Sequence, residues 1–142
     1  MLQVIGKKFK NQRGFTLIEL LAVIVILGII AAIAVPSIGN VINDSRQKAE
    51  VAEALQIIDA TKLLVANNNE TNASQTYAKT DLDTYLDHVK DANFTVKVDY
   101  NSTSGKYTYS IKGHDADKVL KSDDDGTTYK FEQDLIDWQN SH

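Results

Sequence analysis

The chain has 142 residues, room for one modest domain, with 15 Lys and Arg against 19 Asp and Glu and a formal net charge of −4. It holds no cysteine, which excludes disulfides and thiolate metal sites. After Gly14, eleven basic residues face nineteen acidic ones, and the resulting charge of −8 repels phosphate backbones, so no direct nucleic-acid binding is expected.

Residues 1–14 carry Lys7, Lys8, Lys10 and Arg13 and no acid. From Phe15 to Val35 the only polar side chains are Thr16 and Glu19, and Leu20 to Val35 has none. As a helix this stretch is roughly 31 Å long at ~1.5 Å per residue, close to the ~30 Å hydrocarbon core of a bilayer. The basic residues before it stay cytoplasmic under the positive-inside rule, which sends the chain from Pro36 onward outside. An ordinary secretory signal, cut at Ala32-Ile33-Ala34, is the competing reading, and a plain single-span anchor is another. Against the secretory signal stand an apolar run longer than the usual ~7–15 residues and an acid near its start, which would cost roughly 2.5–3.5 kcal/mol at the centre of a bilayer. A carboxylate placed there needs a partner or a proton. Two further residues mark the helix. Gly28 permits close helix–helix approach, and Pro36 removes one backbone hydrogen bond and loosens the turn.

A helical pattern continues past Pro36, with Ile38, Val41, Ile42, Ser45, Ala49, Ala52, Leu55, Ile58 and Val65 recurring at three- and four-residue steps among charged residues. One long helix is therefore expected from about Phe15 to Ala66, its second half amphipathic. Asn67 to Gln75 reads as a polar loop. A short helix follows with Thr80 as N-cap, Asp81 and Asp83 in its first turn, and Leu82, Leu86 and Val89 on one face. The period then changes to two. Phe94, Val96, Val98 and Tyr100 alternate with polar residues, as do Tyr107, Tyr109 and Ile111, and Asn101-Ser102-Thr103-Ser104-Gly105 between them predicts an antiparallel hairpin. A second hairpin is predicted from Lys118–Lys121 through Asp123-Asp124-Asp125-Gly126 to Thr127–Phe131, and Leu135, Ile136 and Trp138 form a helical turn or capping segment. The fold class is α+β, a long N-terminal helix packed on a small antiparallel sheet.

The segment Arg13-Gly14-Phe15-Thr16-Leu17-Ile18-Glu19-Leu20-Leu21 resembles the prepilin processing motif of type IV pilins and the related pseudopilins, and the likeness runs over about residues 10–40 to Ala34-Val35-Pro36. The resemblance implies that a prepilin peptidase cuts between Gly14 and Phe15 and methylates the new amino terminus of Phe15. It makes Glu19 the assembly residue, paired with the Phe15 amine of a neighbouring subunit. It divides the chain into a leader, 1–14, the transmembrane and assembly half of the helix, 15–35, and an extracellular globular pilin domain, 36–142. Its partners are identical or related subunits, the prepilin peptidase, the pilus assembly machinery and the cytoplasmic membrane. The precursor is a single-pass membrane protein, and the product an extracellular pilus for adhesion or motility. Pilins of the family often close a C-terminal loop with a disulfide, which this chain cannot do. Alternative roles are a pseudopilin of a type II secretion system, a competence pilin for DNA uptake and, from a different class, a membrane-anchored binding module.

Other candidate sites fail on pattern. Asp115, Asp117, Asp123, Asp124 and Asp125 supply oxygens of the kind calcium takes, but without the D-x-D-x-D-G spacing, and a DDDG turn is hairpin chemistry in itself. His88, His114 and His142 show neither metal spacing nor a paired nucleophile, so no catalytic residue, metal or cofactor is assigned. The triplets beginning at Asn69, Asn72, Asn93 and Asn101 match the glycosylation acceptor pattern in a chain where Asn, Ser and Thr abound.

Overall fold

The computed structural model describes residues 8–68, 73–120 and 128–142, with side chains in the first stretch from Thr16 onward. They fall into two compact units, the first ending at Asn43 and the second running from Asp44 to His142. Helix α1 spans Lys8–Asn67 with Pro36 inside it. It is followed by β1 (Gln75–Ala78), α2 (Lys79–Leu82), β2 (Thr95–Asn101), β3 (Lys106–Lys112), α3 (Ala116–Val119), β4 (Lys130–Phe131) and α4 (Glu132–Ser141). Among the described residues the strands form one antiparallel sheet in the order β1-β2-β3-β4. The α+β class and the long helix on a small sheet are as the sequence implies.

In the second unit the buried face of α1 carries Val51, Ala54, Ile57, Ile58, Thr61 and Leu64. These residues recur at three- and four-residue steps and so form one stripe. They pack against Tyr77 of β1, Leu82 of α2, Val96 and Val98 of β2, Ile111 of β3, Val119 of α3 and Leu135 of α4, with Phe94 at the entry to β2. Removing each large aliphatic side chain from water contributes about 1.5–3 kcal/mol. Thr61 satisfies its buried hydroxyl by donating to the carbonyl of Ile57, 2.9 Å away. The stripe expected from sequence is shifted. Ile38, Val41, Ile42, Ala49 and Ala52 are exposed, while Leu55 and Val65 only flank the core. Ile58 of the expected stripe lies fully in the core; apolar residues at helical spacing also continue through Ile38, Val41 and Ile42, so periodicity alone does not mark where the covered stripe begins.

The β2–β3 hairpin pairs Val96 with Ile111, Val98 with Tyr109 and Tyr100 with Tyr107, one residue from the expected strand ends. Its turn is held by the Asn101 side chain, whose Oδ1 accepts from the amides of Thr103 and Ser104 at 2.9 and 3.1 Å. Strand β1 begins at Gln75, the last residue of the stretch read as loop, and runs through residues 76–78, for which the sequence suggested no element. It is a four-residue edge strand with one fully inward side chain, Tyr77, too short for alternation to register. The short helix α2 begins at Lys79 rather than after a Thr80 cap, with the Asp81 carboxylate accepting from the Ala78 amide at 2.8 Å.

The second predicted hairpin is not formed as expected. Residues 116–119 are the helical turn α3, and its i,i+3 pair Ala116 and Val119 enters the core. Local acids favour the turn over a strand: Asp117 Oδ2 accepts from the Gly113 amide and Asp91 Oδ2 from the Asp115 amide, both at 2.7 Å. Strand β4 is only Lys130–Phe131, paired with Ile111 and Ser110 of β3. The Asp123–Gly126 turn and the residues 69–72 of the polar loop lie outside the described residues. The tail forms the full helix α4, which buries Leu135 and packs Trp138 on the core.

Long-range polar ties hold this unit. The Lys62 ammonium donates to Asp59 at 2.9 Å, pairs with Glu132 at the start of α4, and lies 5.6 Å from the centre of the Tyr109 ring. Glu53 of α1 accepts from the Lys90 amide at 2.8 Å, fixing the segment that leads to β2.

Gly113, between β3 and α3, has φ +75°, and a Cβ there would stand 2.9 Å from the Asn93 carbonyl oxygen. Gly105, in the hairpin turn, has φ +66° with open space around it. Gly113→Ala is therefore expected to lower stability by about 2–3 kcal/mol and Gly105→Ala by about 1 kcal/mol. Denaturant unfolding of the two variants in detergent checks the order; equal losses would contradict it.

Candidate processing and assembly segment

In the first unit, α1 leaves its apolar side chains uncovered. From Leu17 to Val35 the Leu, Ile and Val residues are 52–70% exposed, in every direction around the axis. Among the described residues this is the helix long and apolar enough to cross a membrane. A helix that is apolar all round is stable when surrounded by lipid or by other apolar helices, and not in water.

Gly14 and Phe15 lie inside α1, so the peptide bond joining them has helical conformation. Glu19 follows Phe15 by four residues, one turn and about 6 Å along the axis. Its exposed side chain is surrounded in sequence by the exposed Leu17, Ile18, Leu20 and Leu21. The structure thus places a carboxylate on an apolar rod, one helical turn from Phe15.

Gly28 lies mid-helix, and a Cβ added to it meets no atom within 4 Å. Its missing side chain therefore serves no contact among the described residues. Gly39, which the sequence reading passed over, has the same open surroundings. A second glycine eleven residues on was the available signal. Pro36 sits between them in α1 and leaves the carbonyl one turn earlier, at Ala32, without its usual amide donor.

The remaining candidates do not assemble into a site. His88 is exposed, His114 is buried, and His142 stacks on Trp138 with ring centres 4.5 Å apart. Among the described residues no group of three or more His, Cys, Asp or Glu could hold a metal ion. Asp115 pairs with Lys118 at 2.7 Å, while Asp123, Asp124 and Asp125 lie outside the described residues, as do Asn69 and Asn72.

Comparison with known proteins adds a family match and relatives. The family model for the prokaryotic N-terminal methylation motif matches residues 9–35. A fimbrial protein of Dichelobacter nodosus is 33% identical over 123 residues, covering 78% of this chain and 74% of the relative. A type IV major fimbrial protein FimA of the same organism is 32% identical with the same coverage. A fimbrial protein of Moraxella nonliquefaciens is 44% identical over 59 residues, covering 42% of this chain and 36% of the relative. No solved structure gives a significant match.

Because nothing among the described residues touches the open side of Gly28, Gly28→Ala is expected to leave the subunit intact. The substitution raises helix propensity by about 1 kcal/mol. Circular dichroism of the full chain in micelles should show unchanged or slightly greater helicity and no loss of thermal stability. Lower stability would mean that Gly28 serves a contact within the subunit.

Proposed function

The chain belongs to the type IV fimbrial protein family, and from that premise we propose that it is a pilus subunit made as a membrane precursor, cut after Gly14 and polymerised through the apolar half of α1. Fimbrial proteins are structural, and the chain is not an enzyme. The observation that carries the reading is the all-round exposure of the apolar side chains between Leu17 and Val35. Lipid covers that surface in the precursor and copies of the same helix cover it in the filament. The leader is residues 1–14, the assembly half of the helix 15–35, and the extracellular domain 36–142.

The roles of the named residues follow from their positions. A scissile bond inside a helix has its carbonyl hydrogen-bonded and must be unwound before attack. Glycine lowers that cost by roughly 0.5–1 kcal/mol relative to alanine, and it leaves the carbonyl open to the prepilin peptidase. Lys7, Lys8, Lys10 and Arg13 keep the bond at the cytoplasmic face, against anionic lipid. Removing them discards the charged anchor and keeps the span, which lets the subunit leave the bilayer. The methylated amine of Phe15 stays cationic and meets Glu19 of a neighbour. That pair sets the axial step between subunits more than it adds net stability. Gly28 and Pro36 let the helix approach its neighbours and adjust to them. The assembly machinery draws such subunits from the cytoplasmic membrane into a surface filament serving adhesion or motility. Relatives named as major fimbrial proteins favour this role over that of a pseudopilin or a competence pilin.

The experiment compares filaments sheared from cells carrying wild type, Glu19→Leu or Glu19→Gln, normalised to cleaved subunit in the membrane. Intact-mass analysis of wild-type filaments should give a chain beginning at N-methylated Phe15. Both variants should be inserted and cut, yet filament yield should fall roughly tenfold or more, because a buried charge left unpaired costs about 3–5 kcal/mol. Wild-type yields from Glu19→Leu would refute the pairing role, and filament subunits retaining residues 1–14 would refute the processing.

A further inference from the structure

Among the described residues the buried basic, acidic or imidazole side chains are His114, Asp117 and Lys130, all in the second unit. His114 stands at the corner between β3 and α3, its side chain 1% exposed, with its ring edge-on to Phe94. Nδ1 accepts from the Ala116 amide at 3.1 Å. A neutral ring that accepts at Nδ1 carries its proton on Nε2. That Nε2 is buried and has no hydrogen-bond partner among the described residues. It lies 3.6 Å from Asp91 Oδ2, just beyond hydrogen-bonding distance. The same Asp91 oxygen accepts from the Asp115 amide at 2.7 Å.

We propose that His114 is a proton-operated clasp. In its neutral form it holds the start of α3, and on protonation it releases the Ala116 amide and closes onto Asp91. The exchange follows from the two ring nitrogens. An imidazolium carries N–H on both, so Nδ1 can no longer accept and the Ala116 amide loses its partner. The positive Nε2–H is attracted to the carboxylate beside it, and 0.5–1 Å of movement makes a charge-assisted bond.

The surroundings fit a two-position device. From its own corner Asp115 and Asp117 face His114, and from the segment before β2 comes Asp91, while Lys118 and Lys90 act on Asp115. Glu50 and Glu53 of α1 line the same crevice as Asp91 and Asp115, with Arg46. Lys130 of β4 acts on Asp117. Each ring nitrogen of His114 has its own neighbour within reach, the Ala116 amide at Nδ1 and the Asp91 carboxylate at Nε2. Acid acts on the corner a second way. Burial pushes the Asp117 carboxyl above its ordinary range, against the opposing pull of the Gly113 amide and Lys130. Its charge, which helps hold Gly113, is thus lost at a higher pH than usual. Helix α3 is only four residues long and carries Ala116 and Val119 into the core. Loosening its first amide therefore frees that edge of the sheet while the Asp91 segment is drawn tighter.

The test is NMR of the full chain in detergent micelles with ¹⁵N-labelled histidine, His114→Gln identifying the signal. At neutral pH the His114 ring should be the Nε2–H tautomer. As it becomes doubly protonated on acidification, amide exchange at Ala116 should rise about tenfold or more relative to Asp115, whose acceptor is retained. Asp91→Asn keeps an acceptor for the Asp115 amide and removes the charge. It should move the His114 titration down by about one pH unit without changing the neutral tautomer. The proposal is overturned if the ring stays neutral to about pH 5 with the domain folded, if Ala116 keeps its protection as the ring titrates, or if Asp91→Asn leaves the titration where it was.

Discussion

Sixteen residues from Leu20 to Val35 without a polar side chain, and without a covering side chain of their own, impose the constraint on which the account rests. Each large aliphatic residue gains about 1.5–3 kcal/mol on leaving water, so the segment as a whole carries a drive of tens of kcal/mol towards lipid or towards copies of itself. Such a drive is non-directional and selects neither orientation nor register. The polar features at its margins supply both. In the proposed function the basic residues before Gly14 orient the span, and Glu19 gives the apolar rod a position at which a neighbour is favoured.

The second unit solves a different problem with ordinary means. A small sheet covers one stripe of the amphipathic half of α1, and Leu135 of α4 seals the core from the other end of the sequence. A chain without cysteine needs non-covalent ties at its edges. Lys62 joins α1 to Glu132, Glu53 takes the Lys90 amide, and Gly113 lets the corner after β3 pass within contact of the Asn93 backbone. The His114 corner belongs to the same set, but its holding bond depends on a proton.

The helix and the β2–β3 hairpin were legible because their signals are long: fifty residues of helical periodicity, and two alternating runs around a turn rich in Asn, Ser and Gly. The motif segment was legible as a family resemblance, and the methylation-motif family model matches residues 9–35; the individual roles of Gly14, Phe15 and Glu19 stand as proposals. Short elements were not legible. Strand β1 buries one side chain fully, and α3 reads as strand until Asp117 is seen holding the Gly113 amide. The covered face of α1 was misassigned in part because Ile38, Val41 and Ile42 look like core residues in a pattern, although all three are exposed. Gly113 and His114 matter through partners about twenty residues away, in the Asn93 and Asp91 segment, a distance that local pattern does not span.

The absence of native cysteine makes a direct measurement possible. A single cysteine at Ile26, exposed mid-helix on the isolated subunit, can be spin-labelled in membranes and, after assembly, in sheared filaments. The account expects the label to be inaccessible to a water-soluble relaxation agent in both states, and spin–spin coupling between neighbouring subunits to be strong in filaments alone. A label that remains open to water in intact filaments, without coupling between copies, would mean that the apolar half of α1 is not the polymer interface.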